Sequence, residues 1–339
     1  MKKRFTGVMT GMFFLLLLTM LLSLSWGQMD IPFSHVLDAL RQVVGLAPLN
    51  GLTPNEDAVI WHIRLPRTLV ALLTGAALAA AGAALQGLFA NPLADPAIIG
   101  VSSGASVGAI VAIATGLSAA SLLALPLCAL LGALSAVSLT IALALRRGRI
   151  PMLTLLLAGV VVGMFLAAVS AMLLTAVSEN KLQEYLFWTI GGLDYRRWEH
   201  VWLGLFPIVI SVGIICLLAR QLNILSLGET EAKAVGLPVI RFRLILLFFA
   251  ALSTATGVCI SGNIGFVGLV VPHMMRMIIG PDHRRLLPAS VLAGGIFLLF
   301  CDIVGRVLLP GTEIRVGIMT AFIGTPYFLY LLRKQQRME

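Results

Sequence analysis

Charged side chains are scarce in this 339-residue sequence, at 12%, where soluble domains carry about 25%. With 59% apolar residues and a mean hydropathy of +1.00, there is too little polar surface to cover a domain in water. A soluble enzyme is excluded, and lipid is the expected solvent. Between Thr68 and Ser178 the only charges are Asp95, Arg146, Arg147 and Arg149, all in loops. The first half therefore lacks the intramembrane ionisable groups on which proton-coupled transporters and intramembrane enzymes depend. None of the five lysines (2, 3, 181, 233, 334) follows a glycine, so there is no phosphate-binding GxxxxGK[ST] loop and no site of that kind for ATP. Cysteine is limited to Cys128, Cys216, Cys259 and Cys301, all within apolar stretches and without metal-ligand or disulfide spacing. They read as small core- or lipid-facing residues.

What is present is a series of uncharged runs, each long enough to cross about 30 Å of hydrocarbon. They cover 5–29, 68–94, 96–145, 150–178, 200–219 and 244–275, with shorter ones at 286–301 and 316–332. The 96–145 run holds two spans, divided at Thr115-Gly116-Leu117-Ser118. The 244–280 stretch is one long helix or two short ones broken at Ser261-Gly262-Asn263-Ile264-Gly265, and the 24 Lys and Arg residues decide between them. With a break there are ten spans, and cytoplasmic termini place 16 basic residues inside (2, 3, 4, 146, 147, 149, 220, 233, 241, 243, 276, 284, 285, 333, 334, 337) and eight outside. Without it the tally is about 12 to 11, so the positive-inside rule favours ten spans. The basic N-terminus resembles a signal peptide, but its apolar run exceeds the usual length and ends without an Ala-x-Ala site, which favours an uncleaved first span. Residues 1–339 read as one all-α transmembrane domain, with a cytoplasmic loop over 221–243.

Lipid provides no hydrophobic drive between helices, so close packing needs small residues at helical spacing. Gly75, Ala79, Ala83 and Gly87 form one such ridge, and Gly100, Gly104, Gly108, Ala112 and Gly116 a second. Between them, Asn91-Pro92 ends one helix, and Asp95 can cap the next with Pro96 at its first position.

Two sets of loop residues are candidates for function. In the 221–243 loop, Ser226 can cap a helix whose first turn holds Glu229 and which Gly236 and Pro238 stop after about two turns. Gly228, Ala232 and Gly236 share one face, on which a partner could sit close, and Glu229 and Lys233 form an i,i+4 pair. Helices this short need packing to persist. On the outer side, Arg64 and Arg67 flank Leu65-Pro66, and Arg306 follows Asp302 by one turn. Singly, each reads as an interface anchor or as the partner of a neighbouring carboxylate. Together they could receive an acidic partner.

The segments Ile63-Arg64-Leu65-Pro66-Arg67, Leu85-Gln86-Gly87, Asn91-Pro92-Leu93-Ala94-Asp95-Pro96, Gly100-Val101-Ser102-Ser103-Gly104-Ala105, Leu227-Gly228-Glu229 and 265–273 (GFVGLVVPH) resemble, in order, those of the FecCD family. This is the family of membrane subunits of ABC importers for ferric siderophores, haem and cobalamin. The resemblance implies a ten-helix permease of the type II importer architecture, paired with a second copy around a central pathway in the bacterial inner membrane. Two ATP-binding subunits would lie below it and an extracytoplasmic binding protein above, with ATP bound on the partner and no cofactor, metal or catalytic residue in this chain. Leu227, Gly228, Glu229, Ala232, Lys233, Gly236 and Leu237 match the coupling helix that meets the ATPase. Arg64, Arg67 and Arg306 match the cations that meet the binding protein. At the cytoplasmic gate, where some relatives have small hydroxyl residues, this chain has Ile150-Pro151-Met152-Leu153; Pro151 and Met152 are the gate candidates, closing by dewetting.

The expected function is import of an iron chelate by alternating access, with cobalamin as the alternative substrate. An ion-coupled secondary transporter built from inverted five-helix halves is a second reading, although no internal sequence repeat supports it. An intramembrane enzyme is disfavoured because His62, Asp302 and Glu313 all fall near an interface.

Overall fold

The computed structural model describes residues 2–43, 45–47, 49–145 and 149–336; of the basic residues counted above, Arg146, Arg147 and Arg337 lie outside them. The elements in order are α1 (Lys2–Ser25), α2 (Phe33–Val43), α3 (Pro54–Val59), a π-helical segment (Ile60–Arg64), α4 (Leu65–Leu88), a 3-10 turn (Pro96–Ile99), α5 (Val101–Ala114), α6 (Leu117–Ala120), α7 (Ala124–Ala144) and α8 (Met152–Leu174). They continue with α9 (Glu179–Ile190), α10 (Trp198–Leu217), α11 (Ala219–Leu225), α12 (Glu229–Ala234), α13 (Val239–Ser261), α14 (Val267–Ile279), α15 (His283–Val307) and α16 (Val316–Gln336). Seven helices among the described residues are long and apolar enough to cross a membrane, and three shorter apolar ones, α5, α14 and the α16 stretch Val316–Tyr330, accompany them.

The break in the 244–280 stretch is present: α13 stops at Ser261, and the chain runs unwound from Gly262 to Phe266 before α14 begins. Irregular backbone at membrane depth is tolerated only where protein encloses it. Here Gly262 packs against Trp188 and Gly191, and Phe266, held at φ 68°, packs against Gly324. Pro272 lies inside α14. A proline there leaves the carbonyl four residues back without its usual donor. The Gln86 amide supplies one, donating to Gly268 O at 3.3 Å and Leu269 O at 3.1 Å, while Arg276 Nη1 holds Gln86 Oε1 at 3.0 Å.

Helix α4 is the axis of the chain. Small residues cover all its faces, and 78% of its apolar window is buried, against 17% in α1 and in α8, which present apolar side chains outward. A methyl on Gly75 would stand 2.6 Å from the Gly294 carbonyl carbon, and one on Gly82 2.6 Å from that of Gly268. Such backbone-to-backbone approaches are what small residues permit in lipid. In the second ridge, Gly104 and Gly108 meet the α7 backbone at Gly132 and Cys128, Gly100 faces α7 only at ordinary van der Waals distance, at Thr140 and Ala136, and Gly116 has no neighbour within 4 Å. Gly100 and Gly116 adopt φ 88° and 81°, Gly100 as the N-cap of α5 and Gly116 as the N-cap of α6, a left-handed conformation that glycine adopts without steric cost. Asp95 caps the 3-10 turn by accepting from Ala97 N at 2.8 Å.

The outer loop before α4 holds a helix that hydropathy alone did not reveal. Buried Asp38 of α2 accepts from Leu49 N (3.0 Å) and Asn50 N (2.7 Å), and Thr53 and Glu56 form a reciprocal cap on α3. All four cysteines are unpaired; Cys259 and Cys301 are buried and the other two half-buried.

Candidate functional site

Two constellations stand out, one at each end of the bundle. At one end, α12 is a six-residue helix between two glycines in unusual conformations, Gly228 at φ 129° and Gly236 at φ 78°. Leu237 N returns to Ala232 O at 3.0 Å and closes it. Ser226 does not cap α12; it ends α11, its hydroxyl donating to Asn223 O at 2.8 Å. Of the three small residues, only Ala232 turns inward; Gly228 is half-buried and Gly236 is exposed. Ala232 is fully buried against this chain, whereas Leu227 and Val235 are 72% and 68% exposed. A short helix needs a tertiary support, and its smallest residue allows the close approach to that support, leaving the branched apolar side chains outward.

Glu229 holds this helix in place. It pairs with Lys233 at 2.6 Å and with Arg243 of α13 at 2.7 Å. Hydrogen bonds from Lys233 and then Arg243 hold its carboxyl below the ordinary carboxylate range. Upstream, Asn223 of α11 bonds Asp282 at 2.6 Å and accepts from His283 N at 2.9 Å, tying the loop to the start of α15. Pro151 and Met152 lie at the start of α8, Pro151 in its N-cap position and exposed, Met152 half-buried.

At the other end, the three arginines singled out in the sequence converge, but with their charges turned inward. Arg64 is 4% exposed and donates to Leu24 O and Ser25 O, both at 2.6 Å, and to Met29 O. It thereby satisfies carbonyls left open at the end of α1. Arg67 grips Asp302 through Nε and Nη2, with Nη2–Oδ1 at 2.8 Å, and reaches Glu313 at 2.8 Å and Asp194 at 3.5 Å. Arg306, 3% exposed, shares Asp302 at 3.1 Å and donates to Ser23. One carboxylate thus lies between two guanidiniums, 1% exposed. Acidic partners 194 and 302 and the α1 carbonyls are distant in sequence, so only the i,i+4 relation of Arg306 to Asp302 was legible beforehand.

Of this cluster, Arg67, Asp194 and Glu313 border an open cavity of about 710 Å³, lined also by His62, Phe187, Tyr195 and Arg196, among others. Burial pushes the Arg196 guanidinium down to about 10 despite nearby Asp194.

Residues 15–334 match the FecCD transport family. The chain belongs to that family. This FecCD chain is 43% identical over 291 residues to the cobalamin import system permease protein BtuC of Halobacterium salinarum, covering 86% of this chain and 78% of that protein. It is 40% identical over 292 residues to the vitamin B12 import system permease protein BtuC of Citrobacter koseri, covering 86% and 88%. Among solved structures, a metal-chelate type ABC transporter in an inward-facing conformation superposes with a TM-score of 0.86 at 34% identity, covering 97% of this chain and 99% of that one. PsaBC from Streptococcus pneumoniae in complex with Fab shares the fold, with a TM-score of 0.57 at 15% identity over 81% of this chain and 92% of that one. The FecCD match begins 48 residues before Ile63, the first residue of the segments that carry the sequence resemblance. The chain is therefore a polytopic permease subunit of an ABC importer. Of the residues that matter to its two ends, Gln86, Asn223 and Arg243 were not singled out from sequence, because their partners come from other helices.

Proposed function

We propose that this permease carries cobalamin, or a corrinoid of the same class, through a pathway formed with a second copy of itself. The observation that supports this reading is the 43% identity, across 86% of the chain, to a cobalamin import permease. A ferric siderophore or haem is the second reading, favoured by the metal-chelate type of the solved relative. In this mechanism ATP binds on two partner subunits, which press on the cytoplasmic face at Leu227 and Val235 while Ala232, Gly228 and Gly236 shape the helix behind them. A binding protein docks at the outer end, on the scaffold that Arg64, Arg67 and Arg306 hold together. The two permease copies then rock between outward and inward access, with the loop at Pro151 and Met152 as an inner constriction. Both termini are cytoplasmic, and the membrane is the bacterial inner membrane.

The test is uptake into proteoliposomes holding this chain with its ATPase and binding protein. Labelled cyanocobalamin should enter only with ATP. Entry of a ferric hydroxamate or haem in its place would favour the second reading, and uptake driven by an ion gradient without the ATPase would overturn the importer mechanism.

A further inference from the structure

Arg243, near the start of α13, carries a contact that its own helix does not need. Its Nη1 donates to Glu229 Oε2 at 2.7 Å and also points to the Ile150 carbonyl at 3.4 Å. The side chain is only 12% exposed, and its Nε finds no acceptor. One guanidinium nitrogen thus lies between α12 and the residue that precedes α8. We propose that Arg243 is a positioning residue that transmits displacement of α12 to the α7–α8 connection, through Glu229 on one side and the Ile150 carbonyl on the other. This rests on the reading of α12 as the surface on which the ATPase presses.

The geometry on both sides suits a relay. The α12 helix has six residues, too few to keep its shape alone, and the Glu229–Lys233 pair is solvent-exposed and correspondingly weak. Its position is therefore set by contacts outside itself: the buried Ala232, the Asn223 clamp on α15, and Arg243. The Asn223 clamp fixes the upstream flank, so a push on Leu227 or Val235 turns the loop about that point and moves Glu229. A planar guanidinium with several donors can hold a carboxylate and a carbonyl together, which a single-point ammonium does less well.

On the receiving side, Ile150 is 1% exposed, and Pro151 follows it at the N-cap of α8. Proline fixes φ and restricts the residue before it, so Ile150 and Pro151 have little freedom to absorb a displacement. Further along α8, Gly159 rests on the Ile98 backbone, where a methyl would stand 3.1 Å from the Ile98 carbonyl carbon. Displacement of Ile150 is passed by a rigid helix to the 3-10 turn at the head of α5. Arg243 thereby joins the ATPase contact to the loop that holds Pro151 and Met152.

The experiment uses the full reconstituted importer, with substrate uptake and ATP hydrolysis measured in the same vesicles. For Arg243→Ala the expected result is retained ATPase binding and hydrolysis, with substrate carried per ATP reduced at least tenfold. Arg243→Lys keeps a donor and should recover part of that ratio. The charge swap Glu229→Arg/Arg243→Glu restores the α12 pair but removes the donor to Ile150, so it should remain uncoupled. Nitroxides on Val235 and Leu153, in a background with Cys128 and Cys216 replaced by alanine, give the mechanical readout. ATP should move both in the parent, and only Val235 in Arg243→Ala. Unchanged coupling in Arg243→Ala, concerted movement of both labels in that variant, or full recovery by the charge swap would overturn the relay. Loss of ATPase binding in Arg243→Ala would also overturn it, by making the residue a mere support of the docking helix. Failure of the parent to hydrolyse ATP with uptake would instead count against the importer reading itself.

Discussion

Substituting a single methyl for hydrogen at Gly75 tests how the bundle is held together. The added carbon would lie 2.6 Å from the Gly294 carbonyl carbon and 3.0 Å from Gly295 Cα, whereas carbon atoms rest at about 3.5–4.0 Å. The neighbours are backbone, so no rotamer change relieves the clash, and α4 and α15 must part by about 1 Å. A gap of that size forfeits a quarter to a half of each dispersion contact along the seam, and overpacking of this kind costs about 1–3 kcal/mol. Gly75→Ala should therefore lower the unfolding free energy, measured by SDS titration in mixed micelles, by about 2–3 kcal/mol. Gly294→Ala acts on the same seam, since its methyl would stand 2.5 Å from Ala79 Cβ. Once the helices have parted for one methyl the second is accommodated, so the double variant should cost well under the sum of the two. Gly213 has nothing within 4 Å, and Gly213→Ala should gain about 0.5–1 kcal/mol from helix propensity. Parental stability of Gly75→Ala, or strictly additive costs, would refute the argument that this approach is the limiting contact.

Leu227→Asp with Val235→Asp should weaken co-purification of the ATPase while leaving membrane insertion intact; Ala232→Trp, by contrast, should deform the loop itself, seen as faster proteolysis within 221–243. Asp302→Ala leaves Arg67 and Arg306 facing each other with their shared carboxylate gone and should cost about 3–5 kcal/mol in the same SDS titration. Single cysteines at Arg241 and Arg284, near the starts of α13 and α15, should label from the same side of the membrane, and labelling from opposite sides would remove the break at Gly262–Phe266. Because the folded Glu229 carboxyl is held below its ordinary value, its stabilising contribution is complete above the unfolded pKa of about 4.3 and is lost only as pH falls through the depressed folded value. ATPase retention should thus be flat from about pH 8 to 5, and a decline within that range would assign the pH dependence to another group.

Residue spacing alone was enough to place the membrane crossings, because a span is a local property: about 20 apolar residues in succession satisfy lipid whatever their neighbours. The Asp95-Pro96 cap and the division at Gly262 were legible for the same reason, and the charge distribution set the number of crossings. Roles that depend on contact between distant segments were not. Gly100 and Gly116 fit the small-residue ridge by spacing, yet in the structure both are helix caps, and Gly116 meets no neighbour. Pro272 lies inside α14, and Gln86, 186 positions earlier, supplies the donor that makes this tolerable.

The sequence by itself determined an all-helical polytopic permease with a short helix in its 221–243 loop and a basic cluster at the start of α4, since composition, period and motif order are carried by neighbouring residues. Only the tertiary structure decided which way those features face. Arg64, Arg67 and Arg306 are basic in any conformation, but the α1 carbonyls and Asp302 that bury their charge are brought to them by folding. Ala232 is small in any conformation, but whether its face meets a partner or its own chain depends on α13 supplying Arg243 and on the Asn223 clamp. A linear pattern defines a helix and its two faces; the burial that chooses between those faces is a sum over contacts from the whole bundle.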